Sequence, residues 1–134
     1  MKKNIPRSDC PISFALDLLG DKWSLLVIRD LVFDGKRFYK EFLHSKEGIA
    51  TNILSDRLKK LESAGIVTSK VYEKLRTQKV YSLTQKGKDL IPILVEVILW
   101  SAKYQDNLAV TQEFIEKAMK RREEVILNLM SKLP

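Results

Sequence analysis

One cysteine and one histidine stand among 134 residues, and those two shortages close off much of the chemistry a chain this size can carry. A lone cysteine builds no internal disulfide framework and points to a reducing compartment. His44 falls in a polar stretch beside Ser45, with no cysteine or second histidine to complete a metal-ligand set. No glycine-rich phosphate loop is present, and no spacing favours a Ser/His/Asp or Cys/His triad, so an enzyme is not expected and no cofactor is implied. Long apolar runs are missing as well. The most apolar stretch, Leu90 to Trp100, is too short to span a bilayer and is broken by Glu96. The basic opening Met1-Lys2-Lys3-Asn4 is not followed by the apolar segment of a signal peptide. Repeats, low-complexity tracts and obvious linkers are absent. A single cytoplasmic domain over residues 1–134, with no membrane partner, is the expectation.

Acidic residues are scarce in one region only. From Lys36 to Lys88 there are 13 Lys/Arg against 5 Asp/Glu, whereas the remainder holds 11 against 12, so all of the +7 net charge sits on that segment. A clustered excess is the footprint of a polyanionic partner, and nucleic acid is the commonest one. A chain made basic for solubility alone would spread its charge. A pure protein-interaction module is the remaining class, and it offers no reason for the clustering.

The basic segment has a legible architecture. In Ala50 to Gly65, Leu54, Leu58 and Leu61 recur at helical spacing and line one buried stripe, widened by Ala50, Ile53 and Ala64. Thr51, Asn52, Ser55, Asp56 and Lys59 fall on the opposite side, and Gly65 supplies the stop. Two β-prone runs follow, Ile66 to Tyr72 and Lys79 to Leu83, separated by Glu73 to Gln78. Helix, strand, basic turn and strand make the helix and wing of a winged helix-turn-helix.

Upstream, Pro11 opens a first helix with Ile12, Ala15, Leu16 and Leu19 as its buried face, ended by Gly20-Asp21. A second helix runs from about Lys22 to Phe33, with Trp23, Leu26, Val27, Ile28 and Leu31 inward. Lys36 to Phe38 reads as a short edge strand leading into a third helix, Tyr39 to His44. Downstream, Thr84 caps a long helix that Pro92 should kink. Ile93, Leu94, Val95, Val97, Ile98, Leu99 and Trp100 are apolar almost all round, which implies a covering partner chain. A last helix, Thr111 to Met130, carries Ile115, Met119, Arg122, Ile126 and Leu129 as one stripe and is expected to cover part of that surface, across a dimer.

Six fragments stand in order: Cys10-Pro11, Gly20-Asp21-Lys22-Trp23, Gly48-Ile49, Leu54-Ser55-Asp56-Arg57-Leu58-Lys59-Lys60-Leu61-Glu62, Ala64-Gly65-Ile66-Val67 and Tyr81-Ser82-Leu83-Thr84-Gln85-Lys86-Gly87. Together they resemble the HxlR-type family of bacterial winged-helix transcription regulators over residues 10–104. The resemblance implies an α+β, mostly α fold, and a homodimer that binds double-stranded operator DNA, expected to be a repressor. It places the dimer interface on the first and C-terminal helices; residues 105–134 lie outside the resemblance, and the dimerisation role expected of their C-terminal helix rests on its apolar stripe alone. Many members carry prolines in the wing, whereas Lys74 to Lys79 has none and is more basic.

Candidate site residues follow. A helix in the major groove presents its N-terminal residues to base edges, where Asn52 can contact adenine in bidentate fashion and Thr51 and Ser55 can bond bases or phosphates. Asp56 either accepts from cytosine or orients Arg57 or Lys59. Thr51 and Asp56 could instead serve the helix itself, as cap and first-turn acid. Arg37, Lys59, Lys60, Lys74, Arg76 and Lys79 are the expected phosphate contacts, with Arg76 at the wing tip reaching the minor groove. Arg57 flanks the core, so burying its stem against an acid is open. Ile12, Leu16, Ile98, Leu99 and Trp100 are the interface candidates, some of which could fill the monomer core. Cys10 stands at the start of the first helix, where free N–H groups favour thiolate and Lys2, Lys3 and Arg7 add positive potential. It is either a redox or electrophile sensor or a small structural residue. A small ligand held between the dimer's helices is a further effector, for which the sequence names no residue.

Overall fold

The computed structural model describes residues 5–134. Ten elements follow in order: α1 Pro11–Leu19, α2 Ser24–Val32, α3 Tyr39–Leu43, α4 Thr51–Ser63, β1 Val67–Tyr72, β2 Leu75–Leu83, α5 Gln85–Lys88, α6 Ile91–Tyr104, α7 Gln112–Lys120 and α8 Arg122–Ser131. This is the mostly helical α+β fold of a winged helix-turn-helix, with one two-stranded antiparallel sheet. Val27, Ile28 and Leu31 of α2, Phe42 of α3 and Leu54, Leu58 and Leu61 of α4 form one core with Ile66, Val67, Tyr81 and Leu83 of the wing base and Ile91, Leu94 and Val95 of α6. The leucine stripe of α4 is therefore buried as its periodicity requires. Phe42 meets Tyr81 edge to face, with ring centroids 6.1 Å apart, which joins α3 to the wing.

The hairpin begins where expected but turns sooner. Pairing runs from Val67–Leu83 to Val71–Lys79 and then jumps to Tyr72–Leu75, so Glu73 and Lys74 form the turn and residues 76–78 bulge from the ladder. Arg76 thus lies on β2 beside the tip. The edge strand at Lys36 to Phe38 shrinks to a single bridge between Phe38 and Val80, backed by the bond from Tyr81 N–H to the Arg37 carbonyl at 2.8 Å.

Four other expectations need correcting. Ile12 and Leu16 do not form a buried face; they are 72% and 54% exposed, and no residue of α1 is fully buried. Pro92 does not kink a long helix. The chain ends α5 at Lys88 and starts α6 at Ile91, which puts the proline in the first turn, where its missing N–H costs no bond. The last helix is two helices, broken at Arg121 (φ −137°, ψ 54°). The break rotates the stripe: Ala118 and Val125 are buried, while Met119 is 70% exposed and Arg122 turns outward to pair with Glu96. Finally, α7 and α8 cover α6 and α2 of their own chain, with Phe114 edge to face on Phe33 at 6.5 Å. Even so, α6 keeps Ile93, Val97, Trp100 and Tyr104 exposed.

Candidate nucleic-acid interface

The outer face of α4 is open. Thr51, Asn52, Asp56, Lys59 and Lys60 are exposed, while Leu54, Leu58 and Leu61 hold the opposite face in the core. The N-cap is Ala50, so Thr51 is the first helical residue and does not cap, and its hydroxyl is left on the outer face. Asp56 pairs with Arg57 and, at 3.6 Å, with Lys60; Lys59 is not its partner. Around this helix, Lys74, Arg76 and Lys79 are exposed on the wing and Arg37 just before α3. A cleft of about 420 Å³ between α4 and β2 brings Ser55, Lys59 and Lys79 together with Tyr39, Lys40 and Glu62. Asn52, Arg37, Lys74 and Arg76 lie outside that cleft.

Three ties fix α4 relative to the rest. Tyr39, at the first position of α3, donates its hydroxyl to the Thr51 carbonyl at 2.9 Å and shares a hydrogen bond with Ser55 Oγ at 3.0 Å. Ser55 is half-buried and already partnered, so it serves the helix's placement before any DNA contact. Sequence reasoning passed over Tyr39; its signal was an aromatic with a polar tip placed at a helix start beside a hydroxyl-bearing neighbour helix. Arg29 of α2 forks onto Glu47, with bonds of 2.7 and 3.0 Å, and so anchors the turn that leads into α4. The same guanidinium and Lys36 flank Asp30, which is 2% exposed and whose pKa burial pushes up despite both cations.

The third tie runs from Arg57 Nε to Asp21 Oδ1 at 2.9 Å. Asp21 also accepts from the N–H groups of Trp23 and Ser24 at 2.8 and 2.9 Å and from the Ser24 hydroxyl at 2.6 Å, which caps the turn that opens α2. Burial pushes the Asp21 carboxyl up. The bonds from the Ser24 hydroxyl, Trp23 N–H, Arg57 and Ser24 N–H outweigh it and bring the pKa to about 2. Arg57 thus buries its stem and pairs with an acid, as its position beside the core allows.

This arrangement of helix, turn, helix and wing matches a family profile described as HxlR-like helix-turn-helix over residues 18–109. The chain belongs to the HxlR-like helix-turn-helix family. It is a transcriptional regulator with a DNA-binding helix-turn-helix domain. YybR of Bacillus subtilis, an HTH-type transcriptional regulator, is 35% identical over 109 residues, covering 80% of this chain and 86% of YybR. The Synechocystis regulator sll1512 is 41% identical over 86 residues, and this chain spans only 63% of its length. Among solved structures, the redox regulator HypR in its oxidized form superposes with a TM-score of 0.63 at 35% identity, covering 73% of this chain and all of HypR. The reduced form of YodB from B. subtilis gives 0.58 at 33%, covering 74% and 97%.

The motifs that carry the HxlR resemblance sit at the joints of the fold. Gly65 ends α4 at φ +73°, a conformation glycine takes without strain. Lys86 Nζ donates to the Ala64 carbonyl at 2.6 Å, Thr84 N–H donates to the Ile66 carbonyl at 3.0 Å, and the Thr84 hydroxyl donates to the Gly65 carbonyl. Gly87 must be glycine, because a Cβ there would lie 2.3 Å from the Ile66 oxygen. Ala64 to Val67 and Tyr81 to Gly87 are thus one lock that closes the wing base onto the end of α4. The profile stops before α7 and α8. Cys10, also outside it, is exposed at the N-cap of α1. Arg7, expected to lend Cys10 positive potential, is taken up by an ion pair with Asp17; Lys2 and Lys3 lie outside the described residues.

Proposed function

We propose that the protein binds a pseudo-palindromic operator as a homodimer, with α4 in the major groove, and that it represses transcription there. The observation that carries this is the outer face of α4. Thr51, Asn52, Asp56 and Lys59 are solvent-facing on a helix pinned at its first turns, with the cationic wing at its side. Asn52 is the base reader in this account, and Arg37, Lys59, Lys60, Lys74, Arg76 and Lys79 bind phosphates.

The dimer reading draws support from α6. Ile93, Val97, Trp100 and Tyr104 are exposed at spacings of four, three and four, a seam suited to a second helix, and Ile12, Phe14 and Leu16 of α1 are exposed too. Leu99 packs on the chain's own core, so Ile12, Leu16, Ile98 and Trp100 remain of the interface candidates named from sequence. Such two-fold dimers read half-sites about one helical turn apart. Selection of duplexes from a random-sequence library, footprinting of the winner and light scattering test the proposal together. Two protected half-sites bound by a dimer are expected; a single protected site bound by a monomer overturns it.

A second reading concerns Cys10, and its exposure at the start of α1 together with likeness to the redox regulator HypR favours it. With one cysteine per chain, a disulfide would join Cys10 to the partner's Cys10 or to a small thiol. Diamide should shift operator affinity in the wild type and not in Cys10→Ser, with reductant restoring it. Equal responses in both proteins remove Cys10 from the mechanism.

A further inference from the structure

We propose that Arg57 and Asp21 are positioning residues that set which face of α4 meets the bases, and that Arg57 makes no phosphate contact. The inference rests on the reading of α4 as the base-reading helix. Arg57 stands in the helix that carries the most Lys and Arg residues, between Asp56 and Lys59, where phosphate contact is the default expectation. Its side chain is only 17% exposed, against 69% for Lys60 three residues on. Two of its donors engage carboxylates: Nε on Asp21 at 2.9 Å and Nη1 on Asp56.

Asp21 is itself immobilised, since three donors from Trp23 and Ser24 grip its two oxygens. The Arg57 bond therefore ties α4 to the joint between α1 and α2, 36 residues away in sequence. Tyr39 holds the first turn of α4 and Arg57 the second. Two directional anchors fix both the tilt of a helix and its rotation, whereas the leucine stripe beneath is non-directional and sets only which side is buried. Base readout needs side chains held within about 0.5 Å and 10–20° of the productive pose, so a lost anchor costs specificity before it costs attraction. Arg57 also orients the Asp56 carboxylate, the one acid on the exposed face of α4.

Two conservative changes separate positioning from charge. Arg57→Lys keeps the cation and loses the planar fork. Asp21→Asn keeps an oxygen that can cap the α2 turn and loses the ion pair. The probes are the duplex that the wild type selects from a random-sequence library and a scrambled duplex of equal length, titrated over a salt series, with Asn52→Ala alongside and melting curves confirming that each variant is folded. Each variant is expected to lose about tenfold on the selected duplex, with scrambled-duplex affinity and salt slope unchanged and with the double variant no worse than either single one. Wild-type affinity for Arg57→Lys, or a lower salt slope for Asp21→Asn, overturns the proposal while a specific loss in Asn52→Ala keeps the base-reading helix. If Asn52→Ala also binds the selected duplex like wild type, the reading of α4 falls and the positioning role falls with it.

Discussion

Replacing Gly87 by alanine tests whether the wing base is locked as the geometry indicates. The φ of Gly87 is ordinary, so the cost is steric. The added Cβ would lie 2.3 Å from the Ile66 carbonyl oxygen and 2.8 Å from Leu83 Cδ2. An ordinary C···O contact is about 3.3 Å, so that carbonyl has to retreat by about 1 Å. It now accepts from Thr84 N–H at 3.0 Å, and that bond stretches beyond useful length. One weakened bond at about 1 kcal/mol, plus about 1 kcal/mol of overpacking, gives about 2 kcal/mol of destabilisation. Gly35 is the internal control. It sits at φ +64° with no neighbour within 4 Å of a Cβ, so Gly35→Ala pays only left-handed strain, about 1 kcal/mol. Urea unfolding of both variants and wild type at one protein concentration measures the difference. A Gly87→Ala variant no less stable than Gly35→Ala refutes the lock.

Other parts of the account are exposed to equally direct tests. Arg76→Gln should weaken binding on every duplex and flatten the salt slope by about one unit, whereas an unchanged slope separates the wing from DNA. Val97→Glu places a charge in the exposed α6 seam, and light scattering should find a folded monomer where a dimer is expected of the wild type; an intact dimer moves the interface elsewhere. Acid unfolding should carry the signature of Asp21. Its folded pKa of about 2 lies below the 3.8 of the unfolded group, so its contribution is full above about pH 4 and is lost as the pH falls toward 2. Asp21→Asn should remove that part of the acid sensitivity, and an unchanged acid profile contradicts the tie.

Periodicity made the central part of the fold legible. Leu54, Leu58 and Leu61 predict the buried side of α4, and the β-prone runs with Gly65 between them and the helix predict the wing. The wheel position of Arg57 does not decide between solvent and ion pair; the fold, which brings Asp21 across 36 residues, does. Tyr39 escaped for the same reason, because its hydroxyl acts on a helix twelve residues further on. The errors downstream share another cause. Apolar spacing across Pro92 and Arg121 continues smoothly, so pattern alone read single helices where the backbone breaks. With the break at Arg121, Ala118 and Val125 become the buried positions and Met119 and Arg122 turn outward, while Ile126 and Leu129 still pack on the core as their spacing predicts. A segment apolar on nearly every side, such as Leu90 to Trp100, likewise carries little phase, and its division into core-facing Leu94 and Val95 and solvent-facing Val97 and Trp100 comes from tertiary packing.

Base reading by α4 through Asn52 stands or falls with Asn52→Ala. Its affinity is measured against the selected duplex and a scrambled duplex at one salt concentration. The account predicts a loss of about 1–3 kcal/mol on the selected duplex with almost no change on the scrambled one. An equal loss on both duplexes, or none on either, contradicts it.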